Sequence, residues 1–385
     1  MAGTHLSSNH PPLLPTTEEE AVNRLRLLRS RRVGVATYRR LLTEHGSAAD
    51  ALLALPKVAK AAGVSDYAVC PEGVVLAELK AGKSAGAVLL MAGQPQYPDA
   101  LTDISDAPPL LWALGDTDLL QRPMIALVGA RNASSLGTRM AKRLGEDLGK
   151  AGFTVVSGLA RGIDAAAHLG ALAGGTVAVM AGGVDIIYPA ENTQLAHDIA
   201  KTGLRLSEMP MGLQPQARHF PARNRIISGL SKAVVVVEAA GKSGSLITAG
   251  NALDQGRDVL AVPGHPFDAR AWGCNMLIRD GATLVRNAQD VIDAVSLAPM
   301  PERDTPAPDL PVPELPVPAP KARSLRDMAA LHSEILSRLG PAPIAEDQLL
   351  RDIGASSTDI APVLVDLELD GKISRHSGGL LARVV

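Results

Sequence analysis

The spacing of apolar residues changes character along the chain, and each change marks a different architecture. Over residues 17 to about 75, the segments EEEAVNRLRLLRS, VATYRRLLTEHG and SAADALLAL repeat apolar side chains three and four positions apart, the period of helices with one buried face. Gly46 and Ser47 stand between the second and third segments as a stop and a cap. From Met124 the pattern becomes short β-branched runs: MIALVGA (124–130), FTVVSG (153–158), TVAVMAGG (176–183), LRLSEMP (204–210), AVVVVEAA (233–240), DVLAVPG (258–264) and a brief TLV (283–285). Unbroken apolar runs separated by helical intervals of about 10–15 residues predict a mostly parallel sheet covered on both faces, a doubly wound α/β domain. Ligands of such sheets sit beyond the carboxyl ends of the strands, so the loops after these runs are where chemistry is expected.

A third regime begins at Pro299. The stretch PMPERDTPAPDLPVPELPVPAP has nine prolines in 22 residues. Lacking amide donors, it builds neither a helix nor a sheet ladder and reads as an extended spacer. Its acidic residues Glu302, Asp304, Asp309 and Glu314 suit a solvated linker, and a proline-rich ligand for another protein is the other reading. Beyond it, SLRDMAALHSEILSRLG, IAEDQLLRDIG and SSTDIAPVLVDLELDGKI read as three helices, and SRHSGGLLARVV as two strands around a Gly-Gly turn. That is the plan of a winged helix, whose third helix ordinarily enters duplex DNA. Here the third helix carries Asp359, Asp366, Glu368 and Asp370, and residues 321–385 hold eight Lys and Arg against nine Asp and Glu. Repulsion from phosphates favours protein docking or a structural role. The expected organisation is a disordered tail at 1–16, a helical domain at 17–80, the α/β domain at 85–297, a Pro-rich linker at 298–322 and a winged-helix domain at 323–385.

Composition narrows the class. A length of 385 residues allows two or three domains at roughly 100–200 residues each. A hydrophobic fraction of 46% supports a sizeable core and excludes a mostly disordered chain. Cys70 and Cys274 are too far apart in sequence to suggest a disulfide framework or a zinc site, which fits a reducing, cytoplasmic setting. The opening MAGTHLSSNHPPLLPTTEEE lacks a basic segment followed by an apolar one, and no apolar run approaches the ~18 residues of a membrane span. A soluble, unexported protein without a membrane partner is expected. Net charge −2 and only nine aromatic residues argue against a platform that stacks the bases of a single strand. The charge is uneven, however: Arg131 to Arg161 holds six basic against two acidic residues, and Arg218 to Arg225 adds three arginines and no acid. This distribution points toward a pocket that grips phosphates, with Phe220 one of few rings available to touch a base.

Four loops carry candidate chemistry. Gly129-Ala130-Arg131, followed by NASSLGTRMAKRLG, lacks the middle glycine of a dinucleotide fingerprint, which disfavours hydride transfer. What remains is a small-residue turn, an arginine and a helix N-terminus, or else a tight turn needing Gly129 for packing. VVSGLARGIDAAAH places Ser157, Gly158, Arg161, Gly162 and Asp164 within eight residues. Its glycines let amides approach an anion, Arg161 adds a forked charge, and Asp164 is positioned to cap the next helix. His168 completes a Ser-His-Asp set in composition only, since no nucleophile elbow is present, and reads as a helix-face residue. RHFPARNRIISGLS clusters Arg218, Arg223 and Arg225 about Phe220 and Asn224, as phosphate ligands with a ring or as a core anchor with arginines paired to acids. EAAGKSGSLITAGNALDQGR sets Lys242, Ser243, Gly244 and Ser245 before a helix near Leu246, another anion-binding start. It is not a Walker A loop, and ATP hydrolysis has no support. All four loops should converge on one edge of the sheet. In the N-terminal domain, RRVGVATYRRLL resembles a helix-hairpin-helix that offers amides to a phosphate, but Ala36 stands where a second glycine after Gly34 is expected.

Taken together, VGAR, VSGLARGIDAAAHLGAL, FPARNRIISGLS, VVVVEAA, KSGSLITAGNALDQGRDVLAVPG and GCNMLIRDGA resemble the DprA/Smf family of DNA-processing proteins. The likeness also takes in QPQYPDALTDISDAPPLLWALGD and both end domains. The resemblance implies a Rossmann-like domain flanked by an N-terminal helical (SAM or helix-hairpin-helix-like) domain and a C-terminal winged helix. It implies a homodimer that binds single-stranded DNA, protects incoming strands in natural transformation and recruits RecA onto DNA covered by single-strand binding protein, with no catalysis and no cofactor. It assigns the DNA pocket to Gly129, Arg131, Ser157, Gly158, Arg161, Phe220, Arg223, Asn224, Arg225, Lys242, Gly244 and Ser245. GCNMLIRDGATL, around Asn275, Met276 and Leu284, resembles the part used for dimerisation and RecA contact. The departure at Ala36 weighs against DNA contact by the N-terminal domain.

The expected mechanism is binding alone. Arginines and helix N-termini hold phosphates, and a two-fold dimer presents two pockets to one strand, raising avidity. Affinity should fall steeply with salt and vary little with sequence. Arg161→Ala or Arg225→Ala is expected to weaken binding by about 1 kcal/mol or more. The competing class is a nucleotide phosphoribohydrolase on a similar fold, which carries P-G-G-x-G-T-x-x-E; GKSGSLITAGNA has no glutamate where that base would stand. A duplex-binding transcription factor built on the winged helix is the third class.

Overall fold

In the computed structural model the described residues are 18–297, 325–340, 344–353, 360, 363–364, 367–368, 370, 372–376 and 380–383. The tail at 1–16 and the linker at 298–322 lie outside them. The chain divides into two units, Met1–Glu302 and Arg303–Val385.

The first unit opens with α1 (Glu18–Arg29), α2 (Val35–His45), α3 (Ala48–Ala61) and α4 (Glu72–Ser84). Their apolar stripes meet in a small core of Leu27, Val33, Tyr38, Leu41, Ala51, Leu52 and Leu55. Gly46 closes α2 with φ +79°, and the Ser47 hydroxyl accepts the Asp50 amide to start α3. Gly34 is the N-cap of α2.

The sheet that follows has nine strands: β1 (Val88–Met91), β2 (Leu110–Gly115), β3 (Met124–Val128), β4 (Thr154–Ser157), β5 (Thr176–Val179), β6 (Leu204–Ser207), β7 (Ala233–Val236), β8 (Asp258–Ala261) and β9 (Thr283–Leu284). Their spatial order is β1-β2-β6-β5-β4-β3-β7-β8-β9. All seven β-branched runs read from the sequence are strands, and they pair in parallel, for instance Ile125 with Val155 and Ala126 with Val234. Strands β1 and β2, which the sequence reading did not isolate as strands, add an antiparallel edge beside β6.

Between the strands run α5 (Ser135–Lys150), α6 (Ile163–Ala171), α7 (Thr193–Thr202), α8 (His219–Leu230), α9 (Gly244–Asp254), α10 (Trp272–Arg279) and α11 (Ala288–Leu297). Because side chains alternate across a strand, each run feeds two cores. Ala126, Val128, Val234 and Val236 pack with Ile226, Ile227 and Leu230 of α8 and with Ala249 and Ala252 of α9. Ile125, Leu127, Val155 and Val235 pack with α5, α6 and α11 through Leu144, Leu148, Ala167 and Val291. The fold is therefore a Rossmann-like, doubly wound sheet. The chain leaves β3 toward β4 on one side and returns to β7 on the other, so the topological switch lies at the carboxyl ends of β3 and β7.

The helical domain is tied to the sheet domain by two arginines. Arg29 forks onto the Glu78 carboxylate (2.9 and 3.0 Å) and donates to the Glu208 carbonyl, while Arg39 donates to the Ser105 and Ala107 carbonyls. Glu78 also accepts the indole N–H of the buried Trp112 at 2.8 Å.

The second unit contains α12 (Leu325–Arg338), β10 (Ile344–Ala345), α13 (Glu346–Ile353), β11 (Ile373–His376) and β12 (Leu380–Arg383). The strands form an antiparallel sheet in the order β10-β12-β11 around Ile335, Leu349, Leu364, Leu367 and Leu381, a winged-helix arrangement. Of the acids expected on its third helix, Asp359 and Asp366 lie outside the described residues, and Asp370 pairs with Lys372 at 2.9 Å.

Candidate nucleic-acid interface

The loops after β3 and β4 and the start of α8 meet a further loop, residues 182–192 after β5, around a cavity of about 420 Å³. Arg131, Gly158, Arg161, Tyr188, Glu191 and Phe220 are among its walls. The Arg131 guanidinium lies 5.3 Å from the centre of the Phe220 ring, and that ring is 5.7 Å from Tyr188. A cation and two rings thus form one continuous face. Arg131 is exposed and has no ion pair among the described residues. Arg161, across the cavity, is 61% exposed and stands 3.5 Å from the equally exposed Glu191. Tyr188 and Glu191 escaped the sequence reading because their loop carries no basic residue; the Tyr-Pro pair just past a glycine-rich strand end was the available signal.

Several residues assigned to the pocket from sequence serve to build it instead. Ser157 is buried and donates to the Leu127 carbonyl at 2.6 Å. The first three amides of the loop it begins, those of Gly158, Leu159 and Ala160, do not turn outward. The Asp164 carboxylate accepts the amides of Gly158 (3.1 Å) and Ala160 (3.4 Å), and His168 Nε2 accepts that of Leu159 (3.3 Å). Asp164 therefore staples the loop from within α6 rather than capping the helix, whose N-cap is Gly162.

An imidazole nitrogen that accepts an amide carries no proton, so His168 holds its proton on Nδ1 and donates to Thr176 Oγ1 (2.7 Å), which donates to the Val155 carbonyl. Burial, with the nearby Arg223 charge, pushes the imidazole down to about 3. Burial raises the Asp164 carboxyl, against the opposing pull of Arg223 and the loop amides. Ser157, Asp164 and His168 are thus near one another but each is engaged in holding the loop.

Arg223, expected as a phosphate ligand, is turned inward. It is buried, and its Nη1 donates to the Gly158 carbonyl (2.7 Å) and to that of Val179. Burial, with repulsion from Arg131, lowers its guanidinium to about 10 against the stabilising Asp164 charge. A Cβ at Gly158 would occupy the space of this guanidinium, so packing alone already requires a glycine there. Arg223 contributes positive potential beneath the cavity floor without reaching into it.

Arg225, also expected as a phosphate ligand, is almost covered. It forks onto Glu208 (2.9 and 2.7 Å) and reaches Asp106 with Nε at 3.0 Å. Burial works to lower its pKa, but Glu208 and Asp106 raise it above the usual guanidinium value. Its acids come from the segment before β2 and from the end of β6, regions without an obvious partner in sequence.

The first loop is also filled from within. The Glu238 carboxylate, just after β7, accepts the Ser134 amide at 2.9 Å and the Ser134 hydroxyl, and it lies against Gly137 in the first turn of α5. A helix N-terminus favours an anion, and here a side chain supplies it, at the switch point where a dinucleotide would place its phosphates. Gly129 packs against Ile163 and the Glu238 carbonyl, the packing alternative for that residue.

The fourth loop remains open. Lys242 and Gly244 are exposed. α9 begins at Gly244, two residues before the expected start at Leu246, with Ser243 as its N-cap, whose hydroxyl meets the buried Ser245 hydroxyl at 2.7 Å. Asn224, one turn into α8 from Phe220, leans to the Gly244 carbonyl at 3.5 Å, linking this loop to the cavity. On α10, Asn275 clamps Gly264, accepting its amide (3.1 Å) and donating to its carbonyl (3.0 Å). Met276 is half-buried, and Leu284 is exposed on the last strand of the sheet. Among the described residues, no group of three or more His, Cys, Asp or Glu could hold a metal ion, and no helix is long and apolar enough to cross a membrane.

Comparison with known proteins agrees with this anatomy. Residues 88–296 match the DNA recombination-mediator protein A family, residues 18–81 the DprA-like N-terminal HHH domain and residues 319–379 the DprA winged helix domain. Protein Smf of Synechocystis is 37% identical over 311 residues, 75% of this chain and 78% of that protein. DNA processing protein DprA of Bacillus subtilis is 44% identical over 229 residues, 59% of this chain and 75% of that protein. Among solved structures, DprA of Streptococcus pneumoniae superposes with a TM-score of 0.60 at 37% identity, covering 70% of this chain and 97% of the other. DprA of Helicobacter pylori, described in terms of a single-stranded DNA binding mode, gives 0.51 at 31% identity, covering 55% and 95%.

Proposed function

This chain belongs to the DprA/Smf family of DNA recombination mediators, and we propose that it binds single-stranded DNA in the cavity walled by Arg131, Arg161, Phe220 and Tyr188. The family's task is mediation and not catalysis, which sets aside the phosphoribohydrolase alternative. The observation that supports the reading most is the face formed by Arg131, Phe220 and Tyr188, opposite the exposed Arg161. Two exposed guanidiniums match successive phosphates, the rings match a base or sugar face, and the buried Arg223 adds charge from below. Lys242, Gly244 and Asn224 continue the binding surface. Gly129, Ser157, Gly158, Arg223, Arg225 and Ser245 position it.

The finer assignment has four parts. Two chains pair through the region of Asn275, Met276 and Leu284, so that two pockets share one strand and dissociate more slowly than either alone. The dimer protects incoming DNA during natural transformation. It loads RecA onto strands held by single-strand binding protein, and it does so in the cytoplasm. A RecA strand-exchange assay on DNA covered by single-strand binding protein tests this: the chain should relieve the inhibition, and Arg131→Ala should not. Equal relief by both proteins would refute the role given to the cavity.

A further inference from the structure

All nine aromatic residues fall within 18–297, and three of them are exposed: Tyr188 (50%), Trp272 (53%) and Phe267 (95%). Random scatter would not place them together, yet all three follow carboxyl ends of parallel strands, Tyr188 after β5 and the other two after β8. Tyr188 belongs to the cavity already described. Trp272 and Phe267 do not, and among the described residues nothing covers them.

Their surroundings are built rather than loose. Trp272 lies over Gly241, beside the exposed Lys242. The Ala239 amide donates to the Arg270 carbonyl (2.7 Å) and that of Gly273 to Ala239 (2.8 Å), joining the loop after β8 to the loop after β7. The His265 ring is 5.6 Å from Phe267 and tilted by 35°. Asn275 clamps the base of the loop at Gly264, and Asp268 pairs with Arg270 at 3.0 Å. Two contacts bridge the cavity and these rings: Asn224, one helical turn after Phe220, leans to the Gly244 carbonyl, and Gly241, next to Lys242 in the same loop, lies under Trp272. From β4 to β8 is three strand positions, or about 14 Å at the usual spacing.

We infer that Trp272 and Phe267, with His265 and Lys242, form a second nucleotide-contacting platform, on which bases of a single strand stack after the strand leaves the Arg131 cavity. The inference rests on the reading of the cavity as a single-strand site and extends it along the sheet edge. An extended, flexible polyanion with exposed base faces is the occupant that suits both halves: exposed rings take base faces of any sequence, and Lys242 takes the phosphate between. The platform also explains how an aromatic-poor chain engages bases, by reserving its exposed rings for one edge.

Tryptophan fluorescence reads the contact directly, because the other tryptophan, Trp112, is buried and hydrogen-bonded to Glu78. Full-length protein is titrated with a short oligodeoxythymidylate that fills the cavity alone and with a long one that continues past it. The long strand should quench emission, the short one should not, and Trp272→Phe should abolish the quench. Phe267→Ala, at a side chain too exposed to affect folding, should weaken binding of the long strand about fivefold or more, with the loss confined to that strand. The slope of affinity against salt should stay unchanged, since no phosphate contact is lost. If Arg131→Ala weakens binding while Phe267→Ala and Trp272→Ala bind the long strand as the unmodified protein does, the platform is overturned and the cavity stands. If the unmodified protein does not bind single strands, both fall. If Phe267→Ala and Trp272→Ala keep full binding of the long strand but shift the chain from dimer to monomer in sedimentation, the rings belong to a second copy of the chain and the inference is overturned.

Discussion

Replacing Arg131 by alanine isolates the charge that the cavity offers to a phosphate. The guanidinium is exposed, has no ion pair among the described residues and rests 5.3 Å from the Phe220 ring. Provided the contact with that ring persists when DNA binds, it cancels in the binding difference. What is lost is one charge-assisted hydrogen bond, about 1.5–3 kcal/mol, or roughly 10- to 150-fold in affinity. One phosphate contact fewer also makes the plot of log affinity against log salt shallower by about 0.7. Fluorescence anisotropy with a labelled oligodeoxythymidylate at several salt concentrations measures both. Folding stability should change by no more than about 0.5 kcal/mol, as for other exposed side chains. An affinity within about threefold of the unmodified protein, or an unchanged salt slope, would refute the placement of a phosphate beside Arg131.

Three further outcomes follow from the same geometry. Glu191→Gln removes the acid that competes for Arg161; an exposed pair is worth about 0–1 kcal/mol, so single-strand affinity should rise by up to about fivefold, and a fall in the same anisotropy titration would contradict competition. Arg225→Ala strands the largely covered Glu208 carboxylate, while the half-exposed Asp106 keeps water, and should cost about 2–4 kcal/mol of stability, seen as a lower urea midpoint, with DNA affinity nearly unchanged wherever the chain remains folded; lost binding at unchanged stability would restore Arg225 to the phosphate contacts.

For His168, the folded imidazole titrates near 3 and the unfolded one near 6.5. Between those values the unfolded chain therefore takes a proton that the folded chain refuses, and stability falls as pH drops. Relative to His168→Gln, urea unfolding should show the unmodified protein losing up to about 1.4 kcal/mol per pH unit below pH 6.5. The raised Asp164 carboxyl acts with the opposite sign but is present in both proteins; parallel pH profiles would show that His168 is not buried neutral.

The sequence by itself determined the architecture. Runs such as MIALV and AVVVV leave no polar face, so they are strands covered on both sides, and helical intervals between them force parallel pairing and a common carboxyl edge. The glycine- and arginine-rich loops at that edge were legible for the same reason. Strands β1 and β2 were not separated out, because their strand character comes from β1 pairing with β2, from β2 pairing with β6 and from Glu78 receiving the Trp112 indole, contacts far apart in sequence.

Only the tertiary structure decided which charged groups face outward. Arg131, Arg161, Arg223 and Arg225 are alike as letters, yet two are exposed, one is folded beneath Gly158 and one is closed by Glu208 and Asp106. Glu238 fills the α5 N-terminus from across the sheet, and Trp272 reaches Lys242's loop from the next strand. Local periodicity reports burial of apolar side chains, whose environment repeats with the element. The partners of a charge are set by whichever distant segment the fold brings within about 3 Å, and one sequence window contains no record of that.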